Sequence, residues 1–261
     1  MLMSQLRELF HFRDLLVTLA LRDIKVRYRQ TLLGVAWAVL QPLAFMAIFT
    51  LVFSRFGRVD SDGVPYPLFS YTGLVPWTFF STALGLAVNS VATNMNLVKK
   101  IYFPREVFPI GVVIACLIDF SIASALVAGL MAFYRVPVSP QILWLPWLVG
   151  LEVVLLVGLC LLTSALNVFY RDIKYLVPLA VQLWMFVTPV IYSSSMVPER
   201  LRGWYMLNPM AVVVEGIRDV LLHGRSPDLQ WLLISTASVA AFGWIAYRYF
   251  KHVEVKFADL I

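Results

Sequence analysis

Long stretches without a formal charge restrict this chain more than any other feature. No Asp, Glu, Lys or Arg falls between Arg29 and Arg55, between Asp62 and Lys99, between Lys174 and Glu199, or between Asp228 and Arg248, and each gap holds at least 19 residues. Roughly 20 mainly apolar residues in a helix cross a hydrocarbon core of about 30 Å, so each gap predicts a span. Residues 107–134 and 136–170 carry one acid each, Asp119 and Glu152, and are otherwise apolar and long enough to cross. The result is an all-α integral membrane protein, a single transmembrane domain over residues 1–261 with six transmembrane helices. They are placed at about 32–54, 67–91, 107–133, 143–169, 175–194 and 229–248. With 61% hydrophobic and 14% charged residues, the composition excludes an ordinary water-soluble domain.

Lys and Arg alternate in density from loop to loop. The N-terminal segment, the segments after the second and fourth spans, and the tail hold 14, against seven in the other loops. Basic residues near span ends are retained on the cytoplasmic side, which predicts that both termini are cytoplasmic. The net charge of +6 is then a topology signal with a weak attraction to membrane lipid, and it implies no nucleic-acid partner. The apolar run ending at Leu21 is followed by Arg22 without a small-residue cleavage pattern, so no cleaved signal peptide is expected. Cys116 and Cys160 lie inside spans and read as packing residues.

Three segments outside the spans have character of their own. Residues 4–30 carry an apolar stripe (Leu9, Phe12, Leu16, Leu19) and a basic one (Arg22, Lys25, Arg29), predicting an amphipathic interface helix on the inner membrane surface. Its role is either a positive-inside anchor or a docking surface for a soluble partner. Residues 92–106 combine polar Thr93, Asn94 and Asn96 with Lys99 and Lys100, and Pro104 predicts a short helix stopped near Phe103. Residues 195–223 pair an apolar stretch around Trp204 and Tyr205 with Asn208-Pro209 and an amphipathic run from 211 to 222. That pattern suits short re-entrant helices between spans 5 and 6, acting as a gate or as an interfacial lid.

There is no GxxxxGK[ST] loop, no HExxH and no His or Cys cluster, so no catalytic or metal-ligating residue is assigned and no cofactor is expected on this chain. If ATP drives it, a different polypeptide hydrolyses the nucleotide. Asp119 and Glu152, without basic partners within the spans, serve either as a proton relay or as hydrogen-bonded packing groups. Phe45, Phe49 and Phe53 recur four apart on the first span, the second adds Trp77, Phe79 and Phe80, and the fifth adds Trp184 and Tyr192. Such faces suit either an uncharged sugar conduit or packing between spans.

The runs Leu32-Leu33-Gly34-Val35-Ala36-Trp37, Gln41-Pro42, Lys99-Lys100-Ile101-Tyr102-Phe103-Pro104-Arg105-Glu106, Phe169-Tyr170-Arg171-Asp172-Ile173 and Leu207-Asn208-Pro209-Met210 together resemble the membrane permease of ABC-2 type polysaccharide exporters. The resemblance covers nearly the whole chain and lies nearer to O-antigen or teichoic acid permeases than to capsule permeases. It implies a homodimer working with two copies of an ATPase that carries ATP and Mg²⁺, and a lipid-linked polysaccharide as substrate. It further implies ATPase coupling through Arg22, Asp23, Arg27, Asn94, Asn96, Lys99, Lys100 and Arg105, and a channel lined by Trp37, Phe45, Phe49, Phe53, Trp77, Phe80, Trp184 and Tyr192. Arg27 and Arg29 would meet the lipid head group, and Trp204, Tyr205, Asn208 and Pro209 would belong to the gate. Two other classes stay open: a membrane enzyme of lipid-linked glycan assembly, and an ion-coupled secondary transporter using Asp119 and Glu152.

Overall fold

A computed structural model describes residues 12–29, 31–57, 61–100 and 103–258, with the side chains of 54–57 and 98–100 outside the description. The regular structure among the described residues is all helical, without strands. In chain order the helices are α1 (Arg13–Tyr28), α2 (Trp37–Phe49, extended by a 3-10 turn before it and a π-helical stretch Thr50–Gly57 after it), α3 (Tyr66–Ala87), α4 (Ser90–Thr93), α5 (Met95–Lys100) and α6 (Val107–Phe133). They continue with α7 (Leu145–Phe169), α8 (Ile173–Phe186), α9 (Glu199–Met206), α10 (Pro209–Leu221) and α11 (Leu229–Val253), closed by a 3-10 turn Glu254–Ala258. Several starts are written in the side chains. Asp228 accepts from the Gln230 and Trp231 amides at the head of α11, and Asn208 accepts from the Met210 amide with Pro209 opening α10.

Among the described residues four helical stretches are long and apolar enough to cross a membrane: Gly34–Phe53, Val107–Phe133, Pro140–Phe169 and Leu229–Phe257. They coincide with the first, third, fourth and sixth expected spans. The second, α3, falls outside that group because its Tyr, Trp, Ser, Thr and Gly residues dilute its hydropathy. It is nonetheless the hub of the bundle: sixteen of its 22 residues are buried, and it packs on α2, α6, α7, α8 and α10. The fifth, α8, is apolar but only 14 residues long. The most extensive pairing joins α7 to α11, where Gly158 lets the backbones close: a Cβ there would stand 3.3 Å from the Gly243 Cα.

One expectation is corrected, and the interface helix is seen to pack on the bundle. The described part, α1, runs alongside α6 in the same direction, with Leu16, Leu19 and Ala20 over Gly111 and the Arg27 and Tyr28 side chains reaching Asp119. Residues 4–11 and 30, including Leu9, lie outside the description. The expected single helix near 92–106 is two short ones, because Ser90 donates to the Ala87 carbonyl (2.7 Å) and Asn94 to the Ser90 carbonyl (2.8 Å), side-chain bonds that break the helix before α5 begins. Ile101 and Tyr102 lie outside the description.

The fifth expected span reached 194, but regular helix stops at Phe186. Residues 187–192 continue as irregular backbone whose carbonyls need partners wherever they are buried. Arg218, on α10 and 1% exposed, provides most of them. Its Nη1 donates to the carbonyls of Pro189 (2.5 Å) and Tyr192 (3.3 Å), and its Nη2 to that of Val190 (2.6 Å). The Tyr66 hydroxyl donates to the Ile191 carbonyl (2.9 Å), and the Asn208 amide to that of Val187 (3.2 Å). The guanidinium lies 3.7 Å from the ring centre of Phe69, with Glu215 Oε1 also 3.7 Å away. Gly73 makes room for this clamp, since a Cβ there would fall on the guanidinium and 2.6 Å from the Val190 carbonyl oxygen. Gly73→Ala is expected to destabilise the protein by about 1–3 kcal/mol, seen as a lower thermal midpoint in detergent. Gly85→Ala, where a Cβ would meet nothing within 4 Å, is expected to shift stability by less than about 0.5 kcal/mol.

Candidate functional site

On the side of the bundle where α1, α4 and the start of α6 meet, the Arg22 guanidinium donates to Asp23 Oδ1 (3.1 and 2.9 Å) and to Asn94 Oδ1 (3.1 Å). Three residues expected at the coupling face thus share one hydrogen-bonded group, beside a cavity of about 400 Å³ lined also by Leu19, Ser90 and Thr93. Asn96 is exposed and separate from them. Arg105 is turned toward the Phe257 ring, 5.9 Å from its centre. The side chains of Lys99 and Lys100 lie outside the description.

Arg27 lines the same cavity and reaches on toward α6. It pairs with Asp119 on α6, its Nη2 lies 3.4 Å from Cys116 Sγ, and the Tyr28 hydroxyl donates to Asp119 Oδ1 (2.6 Å). Asp119, expected to have no basic partner within the spans, finds one outside them, on a helix that folds against α6. Burial, together with the bond to Asp119, pushes the Tyr28 phenol up to about 12, so it remains a donor at physiological pH. This group borders a cavity of about 220 Å³ with Trp37, Gln41, Thr78 and Thr82 on its walls. Arg29 is exposed at the end of α1. Glu152, in α7, is fully buried and neither carboxylate oxygen has a hydrogen-bond partner among the described residues. It does not border the Asp119 cavity, and a two-acid relay gains no support from this geometry.

The aromatic residues divide into two sets. Phe45, Phe49 and Phe53 stack along α2 with centres 6.1 and 5.9 Å apart, and the run continues through Tyr66 (6.4 Å) and Phe69 (6.2 Å) to the Arg218 clamp. Trp37 and Phe45 are 49% and 43% exposed and give this run an open face. Trp77 and Phe80 are 5% and 0% exposed, packed against each other and against the edge of Trp184, so within the protomer they are core residues with no face for a substrate.

At the other end, Trp184 donates through Nε1 to Asn208 Oδ1 (3.0 Å). Tyr192 donates to the Phe186 carbonyl and accepts from the Tyr205 hydroxyl, each at 2.9 Å. Asn208 and Pro209 thus form the joint between α9 and α10, while Trp204 is 76% exposed. Next to this joint is a polar cavity of about 960 Å³ bordered by Asp62, Arg202, Glu215, Asp219 and His223. Burial, then the adjacent Arg225, push the His223 imidazolium below its ordinary range, favouring the neutral ring. Sequence reasoning missed Arg218, although a lone cation inside the apolar run from 211 to 222 was a signal, and it missed Tyr66 and the Glu106–Lys251 pair.

A bundle of long apolar helices with polar groups at both ends and a broken helix held inside defines a multi-pass membrane protein of the permease kind. Residues 14–222 match the ABC-2 type transporter family, and the chain belongs to it. It is 32% identical to the O-antigen export system permease protein RfbA of Myxococcus xanthus over 98% of both chains. A protein of the same name from Klebsiella pneumoniae is 28% identical over 95% of both. The polysialic acid transport protein KpsM of Escherichia coli is 24% identical over 88% of this chain and 91% of its own. The chain is accordingly the permease subunit of an ABC exporter, not an enzyme, and works with an ATPase partner.

The Arg27–Asp119 pair yields a stability prediction. Asp119→Leu, which leaves a half-buried guanidinium unpaired, is expected to cost about 1–3 kcal/mol. Adding Arg27→Met is expected to recover most of the loss, measured as the unfolding midpoint of the single and double variants.

Proposed function

We propose that the chain forms the membrane half of an exporter that moves a lipid-linked polysaccharide, of O-antigen or teichoic acid type, across the bacterial inner membrane. Two copies would assemble with two copies of the ATPase, which binds ATP and Mg²⁺. Each copy would cross six times with cytoplasmic termini. In this reading α3 crosses within the protein core, its 22 residues spanning about 33 Å. The 14-residue α8 crosses as a broken helix, its irregular end tolerated at membrane depth because the Arg218 clamp satisfies it.

The observation that carries the substrate class is the exposed, uncharged aromatic face of α2, Trp37 and Phe45 backed by Phe49 and Phe53. Rings of this kind stack on the C–H faces of sugars without binding any one sugar through charge, which suits a long chain that must keep sliding. The names of the relatives point the same way. Arg22, Asp23 and Asn94 would receive the motion of the ATPase with Asn96, Lys99, Lys100 and Arg105. The exposed Arg29 would meet the lipid pyrophosphate, Arg27 being already committed to Asp119. The α9–α10 pair, with Trp204, Tyr205, Asn208 and Pro209, would move at the outer mouth. Trp184 and Tyr192 would hold that pair in place.

Purification of the tagged chain in mild detergent is expected to recover an ATP-binding partner in equal molar amount, in particles of two copies each. Recovery of the chain alone, folded and without ATP hydrolysis, would contradict the proposal.

A further inference from the structure

The segment before α6 and the end of α11 meet in an ionic contact buried in the protein. Glu106, the residue that precedes α6, is fully buried. Lys251, in the last turn of α11, holds its Nζ 2.8 and 2.9 Å from the two Glu106 carboxylate oxygens and 3.0 Å from Glu254 Oε1. Next to it, Phe257 of the closing 3-10 turn is also fully buried. Its ring packs on Phe250 (5.7 Å) and on Phe169 (6.0 Å), the last residue of α7, while the Arg105 guanidinium lies 5.9 Å from its centre. The same turn touches α5. The closing turn therefore contacts the connection joining α3 to α6 and the end of α7.

Stability alone is a poor reason for such a pair, since a buried Lys–Glu contact loses solvation on both sides and an apolar pair of similar volume is often as stable. What an ion pair adds is a fixed register between two elements that are 145 positions apart in sequence. Here those elements are the segment bearing Asn94 and Arg105 and the last long helix.

We propose that the Glu106–Lys251 contact, flanked by the packing of Arg105 and Phe250 on Phe257, makes the C-terminal turn a third coupling element, which passes a displacement of α5 directly to α11. Glu106 and Lys251 are positioning residues in this role. The proposal rests on the ATPase-driven reading above.

The test uses the full chain with its ATPase partner in proteoliposomes, reading both ATP hydrolysis and polysaccharide moved per ATP. In a Glu254→Gln background, which removes the second acid on Lys251, the pair Glu106→Gln with Lys251→Met leaves no charge of this contact unpaired. It is expected to keep ATP hydrolysis within about twofold while export per ATP falls about fivefold to tenfold. The reversed pair, Glu106→Lys with Lys251→Glu in the same Glu254→Gln background, is expected to restore export per ATP to within about twofold of that background alone. An unchanged ratio in the neutral pair, a proportional fall of hydrolysis and export, or a lack of recovery in the reversed pair would each overturn the proposal. If the unaltered chain shows no ATP-dependent export at all, the functional reading fails instead, and that is visible before any variant is compared.

Discussion

One guanidinium holds together the part of this protein that is hardest to build. Between Phe186 and Ser193 the backbone leaves the helix, and its buried carbonyl groups need partners from the protein itself. Arg218 reaches three of them and Tyr66 a fourth. Each buried carbonyl left without a partner costs about 1–3 kcal/mol, against a total stability for folded proteins of about 5–15 kcal/mol. The guanidinium in turn is tolerated because its charge is spread over these acceptors, the Phe69 face and Glu215. The consequences reach outward. Gly73 has to lack a side chain, and Asn208 has to serve both as the cap of α10 and as a donor to the end of α8.

The same hub ties the two ends of the molecule together. Gly73, which admits the clamp, and Ala87, where α3 gives way to the α4 turn, are about 21 Å apart along one helix axis. Just beyond Ala87 lies Asn94, bonded to Arg22 of α1. A rigid, buried helix thus runs from the face that would receive motion to the joint that would open at the other end. The aromatic run on α2 flanks that helix and reaches the clamp through Tyr66 and Phe69. The proposed substrate face, the clamp and the proposed coupling face are consequently one connected set of packed elements, which suits a device that converts a push at one end into an opening at the other.

Much of the architecture was legible because charge in hydrocarbon is costly: a charge-free gap located α11, and long apolar stretches with a single acid each located α6 and α7. The depth of α3 was not legible, since its tyrosines, serines and glycines make a buried hub read as a mediocre span. Asn208-Pro209 was readable as a break and proved to be a cap followed by a first-turn proline. The pairing of Asp119 was not legible for a different reason: its partner, Arg27, is 92 positions away on a helix expected to lie on the membrane surface, and only packing brings them together. Arg218 was counted as an ordinary loop cation, because a tally of charges by loop says nothing about whether a loop folds back into the bundle. Trp77 and Phe80 show the limit of periodicity, which marks an aromatic face without saying whether it looks into a core or a conduit.

The central claim is that this chain moves a polysaccharide only when a separate ATPase drives it. Reconstitution of the purified chain in proteoliposomes, with and without the ATPase, tests it directly. The measured quantity is the transfer of an undecaprenyl-pyrophosphate-linked glycan to the opposite leaflet. The account predicts transfer that requires both proteins and ATP, and none from either protein alone. Transfer by the chain alone under a proton gradient, with ATP absent, would contradict it.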